Sequence, residues 1–353
     1  MEPAKELDGS ALLALDYDRE IEAIAKRFKE TVVRFRRRGA VVAVSGGVDS
    51  AVCCALAAHA LGPHRVLALL LPERESSANS ERLAMQVVDM LGVPYERKDI
   101  TEALVALDCY ERRDAAVRAV VPEYRDGWRN KLVIAGGLSG QFNHFHVIVA
   151  GPDGERIERR LGLREYLAIV AATNFKQRIR KNVEYHHADR LNYVVVGTPN
   201  RLEYDQGFFV KNGDGAADIK PIAHLYKTQV YGLARHMGLP RDIVESVPTS
   251  DTYSLPQEQE DFYFALPYAQ LDVALAYRDA GRSAAELAVA LGFDQVAAAR
   301  IYADIEAKRR TTRYLHEAPV LMGDIETSCD TKLRWWPYRS RILSPGRFGY
   351  RRS

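Results

Sequence analysis

The sequence predicts a doubly wound α/β fold: a parallel sheet with helices on both faces, an inserted hairpin segment and a helical C-terminal region. Three observations lead there. Short apolar runs alternate with helix-length segments over the first hundred residues. The first of these runs breaks abruptly into "SGGVDS", residues 45–50. After an irregular stretch, the alternation resumes with a helix over 165–190 and the run "LNYVVVG".

Along the chain, residues 17–38 place Ile21, Ile24, Ala25 and Phe28 on one helical face. Residues 41–44 form a strand, and 50–61 an Ala-rich helix closed by Gly62-Pro63. "RVLALLLP" is a second strand, "ANSERLAMQVVDMLG" a helix and "VPYERKDI" a third strand. Parallel neighbours need crossovers, which these helices supply. Residues 110–165 break the pattern, because Pro-Asp-Gly in "HFHVIVAGPDGERIERRL" separates two extended runs in the manner of a hairpin. A lid, a dimer element and a docking surface are all compatible with this insertion. The expected regions are an enzyme domain over 1–273 containing it, a helical extension over 274–331, and a basic tail over 332–353.

A chain of 353 residues buries a substantial core. The net charge of +2 argues neither for nor against an anionic partner, so electrostatic arguments must be local. Cys53, Cys54, Cys109 and Cys329 lack metal-ligand spacing and read as thiols of a reducing compartment. The acidic N-terminus lacks the pattern of a secretory leader, and charge interrupts every run approaching membrane length. A cytoplasmic protein without membrane partners is expected. "SAAELAVALGFDQVAAARIY" has the look of a helix-turn-helix, but a packed helical pair explains it equally. The near-neutral charge gives nucleic-acid binding no support.

A strand, a turn of Ser45-Gly46-Gly47 and a helix starting near Ser50 make an anion site. Glycines admit an oxyanion close to the backbone, and free N–H groups at the helix start point at it. Ser45 and Ser50 add hydroxyls. Asp49 beside phosphates implies a divalent cation between them. The absence of an adjacent lysine suits a grip on pyrophosphate rather than transfer of a terminal phosphate.

Strand-SGG-x-DS resembles the pyrophosphate loop of the ATP pyrophosphatases, which cleave ATP to AMP and pyrophosphate. Three further stretches are similar to signatures of one of their branches, the NAD synthetases. "NFKQRIR" (174–180) resembles their Asn-x-x-x-Arg-x-Arg helix, while "GTPNRLEYDQGFFVKNGDGAADIKPIAHLYKTQ" (197–229) and "VPTSDTYS" (247–254) resemble their long second signature. The resemblance implies an adenine nucleotide α-hydrolase-like fold and the ammonia-dependent type of the family. The implied reaction is amidation of deamido-NAD to NAD through an acyl-adenylate, releasing AMP and pyrophosphate.

The residues also support this reading directly. Thr198 ends a strand and belongs at the carboxyl edge, where open α/β sheets bind ligands. Glu203 follows closely enough to join Asp49 around one Mg²⁺. Lys227 stands as a lone cation in apolar surroundings, suited to α-phosphoryl charge. By resemblance, ATP meets Ser45, Gly46, Gly47, Asp49, Ser50, Thr198, Lys227 and Thr249. Phe208 and Lys211 face the nicotinate mononucleotide half of deamido-NAD, Asp218 helps fix that dinucleotide, and Asp214 lies near the reacting carboxylate. Arg178 and Tyr185, on one helix face, meet the second nucleotide at a homodimer interface. The expected catalytic set is Asp49, Lys227 and Asp214. There is no room in the sequence for a nitrilase-type glutaminase, so the nitrogen donor is free ammonia or ammonia from a separate glutaminase chain. A related ATP pyrophosphatase that amidates a different carboxylate is the alternative.

Overall fold

The structure is a computed structural model that describes residues 9–135, 144–246, 253–255 and 266–323. The chain to His316 forms one compact unit, and a second begins at Glu317.

Three of the four strands of the main sheet are too apolar to face water on either side, while the fourth, at the sheet edge, is polar and exposed. After α1 (Tyr17–Arg34) comes β1 (Ala40–Ala43), then α2 (Val48–Leu61), β2 (Val66–Leu70), α3 (Ala78–Leu91) and β3 (Tyr95–Arg97). Helices α4 (Thr101–Ala106) and α5 (Cys109–Arg118) lead into an antiparallel sheet of β4 (Arg129–Ala135), β5 (His144–Ala150) and β6 (Arg156–Arg160). The long α6 (Leu163–Leu191) returns to the main sheet through β7 (Val194–Val196). The main sheet is parallel throughout in the order β3-β2-β1-β7, with Ala40 paired to Val66 on one side and Val194 on the other.

Successive residues of β1 serve opposite faces. Ala40 and Val42 pack with α1, α2 and α3, while Val41 packs with Leu67, Leu69, Val195 and Ala188 of α6. Burial on both faces explains why these strands read as unbroken apolar runs rather than alternating ones. Asp16 caps α1, its side chain accepting from the Arg19 N–H at 3.1 Å.

The expected hairpin is β5–β6, turning at Pro152-Asp153-Gly154, with Gly154 at φ 85°. Strand β4 adds a third member, and α5 enters the same apolar cluster through Val117, beside Trp128, Leu132, Val147 and Ile169.

The C-terminal part of the unit is helical. It comprises α7 (Arg201–Gln206), α8 (Lys227–His236), α9 (Arg241–Val244), α10 (Tyr268–Asp279), α11 (Ala284–Leu291) and α12 (Gln295–His316). Leu287, Ala298, Ile301 and Tyr302 of the α11–α12 pair are buried against α10 and Leu202 of α7. That pair is therefore core and not a reading head. Among the described residues, no helix is long and apolar enough to cross a membrane. Cys53, Cys54 and Cys109 are buried free thiols. The basic tail over 332–353 and Thr249 lie outside the described residues.

Candidate active site

The carboxyl ends of β1 and β7, adjacent strands, carry the motifs into contact. After β1 the chain turns at Gly46, whose φ of 87° is open to glycine but strained for other residues. A Cβ there would also run into the Ser80 carbonyl of α3. Two hydroxyls shape the turn. Ser50 Oγ donates to Gly47 O at 2.9 Å and accepts from Ser45 N at 3.2 Å, and Ser45 Oγ lies 3.2 Å from Ser50 Oγ. Ser50 is buried and spends its proton inside the loop, whereas Ser45 and Gly47 are exposed at its rim. Helix α2 starts at Val48 with Gly47 as N-cap, leaving its first N–H groups free of a side-chain cap.

Asp49 sits in that first turn and meets two other elements. Its Oδ2 pairs with Nζ of Lys227, the first residue of α8, and its Oδ1 accepts from Asn200 Nδ2 at 3.1 Å. Asn200, fully buried, is the N-cap of α7. Its Oδ1 accepts from the Glu203 N–H at 3.1 Å, and Glu203 Oε2 accepts from the Asn200 N–H at 3.2 Å. A capping box thus aims Glu203 at Asp49. The sequence reading missed Asn200, although Asn-x-x-Glu just after a strand is a visible capping signature.

The electrostatics are unbalanced. Burial, and then the Asp49 carboxylate, push the Glu203 carboxyl up to about 8. Burial alone would lower Lys227, but Asp49 and Glu203 override it and hold the ammonium well above the usual lysine range. Asp272 of α10, also missed, accepts from the Thr228 N–H at 2.7 Å and so caps the helix that presents Lys227. Burial raises its carboxyl to about 6.

A second group surrounds the Gly-Asp-Gly loop. Asp214 Oδ1 accepts from Val210 N at 2.8 Å, and burial raises its carboxyl. Lys220 donates to Gly215 O at 2.7 Å and lies 4.6 Å above the Tyr204 ring, its amine lowered by burial to about 8. On α6, buried Lys181 pairs with Glu184 at 2.6 Å, and these two with Lys220 were also missed. Arg178 Nε donates to Lys211 O at 3.4 Å. Asp218 Oδ2 accepts from Val195 N at 2.8 Å, giving it a part in closing the edge of β7. Tyr185, on the same side of α6, is raised to about 12 by burial and then by Asp218. Phe208 packs against the C-terminal helical cluster, and Lys211 Nζ donates to Tyr314 O of α12 at 2.8 Å.

The structure therefore gathers Ser45, Gly46, Gly47, Asp49, Ser50, Glu203 and Lys227 in one place, with Thr198 two residues past the end of β7. Arg178, Asp214 and Asp218 form a neighbouring group. Phe208 and Lys211 lean toward the C-terminal helices. A basic cavity of about 520 Å³ opens at the opposite edge, lined by Arg37, Arg38, His64, Arg65, Leu191 and Tyr193, and holds no motif residue.

The family model of NAD synthase matches residues 20–127 and 155–314. The chain belongs to the NAD synthase family. It is 50% identical over 315 residues to the NH3-dependent NAD+ synthetase of Rhizobium meliloti, covering 89% of this chain and 94% of that one. It is 39% identical over 251 residues to the namesake enzyme of Thermotoga maritima, covering 71% and 84% of the two chains. Among solved structures, the NH3-dependent NAD synthetase of Campylobacter jejuni aligns with a TM-score of 0.59 at 20% identity, covering 88% of this chain and 100% of that one. At that identity the likeness shows the shared fold. Between its two matched stretches the family model passes over residues 128–154, which include β4 and β5 of the inserted sheet.

Proposed function

We infer that this NAD synthase family member carries out the ATP-dependent amidation of deamido-NAD to NAD with ammonia. The observation that carries the reading is the placement of Lys227 and Asp49, with Glu203 beside them, directly behind the glycine turn. That arrangement suits a triphosphate gripped at its β and γ end and attacked at the α-phosphorus.

The carboxylate oxygen of the nicotinate ring attacks the α-phosphorus, and the bond to pyrophosphate breaks. The backbone N–H groups at the start of α2 hold the departing pyrophosphate, and the Lys227 ammonium offsets charge on the α-phosphoryl oxygens. The acyl-adenylate makes the carbonyl carbon electrophilic. Ammonia attacks it, AMP leaves, and the amide remains. Asp214, its carboxyl raised by burial, is the proposed acceptor of the proton that the incoming nitrogen loses. Holding the substrates in register supplies much of the rate, since they bring both nucleophile and leaving group.

The donor set fits Mg²⁺. Asp49 and Glu203 offer hard carboxylate oxygens, and with one lysine against two acids a cation would replace the proton that burial and Asp49 keep on Glu203. When bound there, the cation would neutralise phosphate oxygens. The buried free thiols suit a reducing cytoplasm, and a homodimer is proposed on the family resemblance.

The test is product analysis. Purified protein with ATP, Mg²⁺, deamido-NAD and ammonium should form NAD, AMP and pyrophosphate, and omission of any one component should stop it. Release of ADP overturns the mechanism. AMP without NAD shifts the reading to another carboxylate.

A further inference from the structure

Strands β4 and β5 of the inserted sheet lie in the internal stretch that the family model passes over, 128–154, yet the sheet is tied to the carboxyl edge by a run of hydrogen bonds, ion pairs and short chain segments. The run starts beside the glycine turn, where the Ser80 carbonyl abuts Gly46. Upstream of Ser80, the loop leaving β2 folds on itself. Glu73 N donates to Ser76 Oγ at 3.0 Å, Ser76 N donates to Glu73 O at 2.9 Å, and Glu75 N donates to Glu73 Oε2 at 3.0 Å.

Both of these acids are held from outside the loop. Lys176 of α6, 1% exposed, reaches Glu73 at 2.9 Å and Glu75 at 2.6 Å. Tyr110 of α5 donates to Glu73 at 2.7 Å. Arg113 of α5 reaches Glu75 at 2.6 Å and Asp114 at 2.8 Å. Asp114 accepts from the Tyr124 hydroxyl at 3.2 Å, and that hydroxyl accepts from Asn130 Nδ2 at 2.7 Å. Asn130, on β4, is fully buried. Its backbone pairs with a separate segment, the N–H donating to Ser254 Oγ at 2.8 Å and the carbonyl accepting from Leu255 N at 3.0 Å.

We propose that Tyr124 and Asn130 are positioning residues for the ATP site, through which the inserted sheet acts as a strut. One end of the strut fixes the loop after β2, which leads into the first turn of α3 that walls Gly46. The other end fixes Ser254 and Leu255, in the segment after the Pro-Thr motif. The Tyr124 hydroxyl donates to Asp114 and accepts from Asn130, so it is the link that joins α5 to β4. Buried networks of this kind hold geometry because every alternative leaves a polar group without a partner. Removing the hydroxyl strands Asn130 Nδ2, relaxes Asp114 and frees one side of Arg113. The position of Glu75, and with it the start of α3, then loosens.

This rests on reading the carboxyl edge as the ATP site, and the two ideas fail separately. A wild-type protein that makes no NAD fails the functional reading. An active wild type whose variants behave normally fails the strut alone. The experiment compares Tyr124→Phe and Asn130→Ala with wild type, using KM for ATP and for deamido-NAD, kcat, ATP affinity by calorimetry, and melting temperature. In Tyr124→Phe, KM and Kd for ATP should rise about fivefold or more, with KM for deamido-NAD within about twofold of normal. The double variant should be no worse than the worse single variant, because both cut one run. A lowered melting temperature with unchanged ATP affinity overturns the proposal, as does an equal rise in both KM values. Should Asn130→Ala fail to fold, Tyr124→Phe, which deletes one atom, carries the test alone.

Discussion

Two buried charge clusters flank the glycine turn, and they are built on opposite principles. Around Glu75, the three cations Lys176, Arg113 and Arg74 face the acids Glu73, Glu75 and Asp114, and Tyr110 and Tyr124 donate further hydrogen bonds to Glu73 and Asp114. Burial would raise the Glu75 carboxyl, yet Arg113 and Lys176 hold it below the usual range. Around Asp49, one lysine faces two acids, and Glu203 is pushed up to about 8. The first cluster is satisfied and stiff. The second is short of a cation, so one of its acids holds a proton instead, at the place where the proposed function puts a cation and phosphates. Both are buried and ionic. The balance of partners, more than burial, separates scaffold from site.

Breaking the balance on each side should give opposite phenotypes. The largest expected effect is at the site: Lys227→Met and Asp49→Asn should each lower kcat/KM by roughly 10²–10³-fold. Denaturation should show both variants folded, since the site variants leave the sheet core untouched. Normal turnover in either removes that residue from the chemistry.

On the scaffold side, Lys176→Met leaves the buried Glu73 carboxylate with neutral donors alone and should cost about 3–5 kcal/mol, read from urea denaturation. A loss below about 1 kcal/mol would show the cluster to be loose, contrary to its hydrogen-bond geometry.

The third prediction uses pH. A carboxyl at about 8 is protonated in the free site at neutral pH, so a cation binding Glu203 must displace that proton. Apparent Mg²⁺ affinity should therefore weaken as pH falls below about 8, approaching tenfold per unit. Without cation, the sign for stability is opposite. The raised carboxyl favours the folded state at low pH, and that contribution is lost as pH rises from the unfolded value toward 8. Glu203→Gln should flatten both dependences, and a pH-independent Mg²⁺ requirement in the wild type would remove Glu203 from the metal site.

The smallest effect is at the hinge of the site. Asn200→Ala removes a helix cap and should cost about 1 kcal/mol. It should also raise the Mg²⁺ concentration needed for half-maximal rate, because Asn200 is what orients Glu203 toward Asp49. A change in stability alone would leave it a plain cap.

Much of this was legible in the chain. Strands β1, β2 and β7 are runs of Val, Leu and Ala, and helix-length segments between them force parallel pairing. The turn at Ser45-Gly46-Gly47 announces an anion site because few other uses call for glycines and hydroxyls at the start of a helix. Asp49, Glu203 and Lys227 were named from motif spacing, and they meet. Asn200 was legible too, as a capping signature, but caps are common and nothing local says that this one faces a carboxylate 151 positions away.

What the sequence determined by itself is what depends on neighbours along the chain: periodicity, turn chemistry, capping and the order of motifs. What the tertiary structure alone decided is the set of partners brought from a distance. Asp272 caps the helix of Lys227 across 44 positions, and Lys176 meets Glu73 across 103. Asp218 ties the edge of β7, and Lys211 turns toward Tyr314. The reason is physical. A buried ion's state depends on which charges and donors lie within a few ångströms, and that distance bears no relation to separation along the chain.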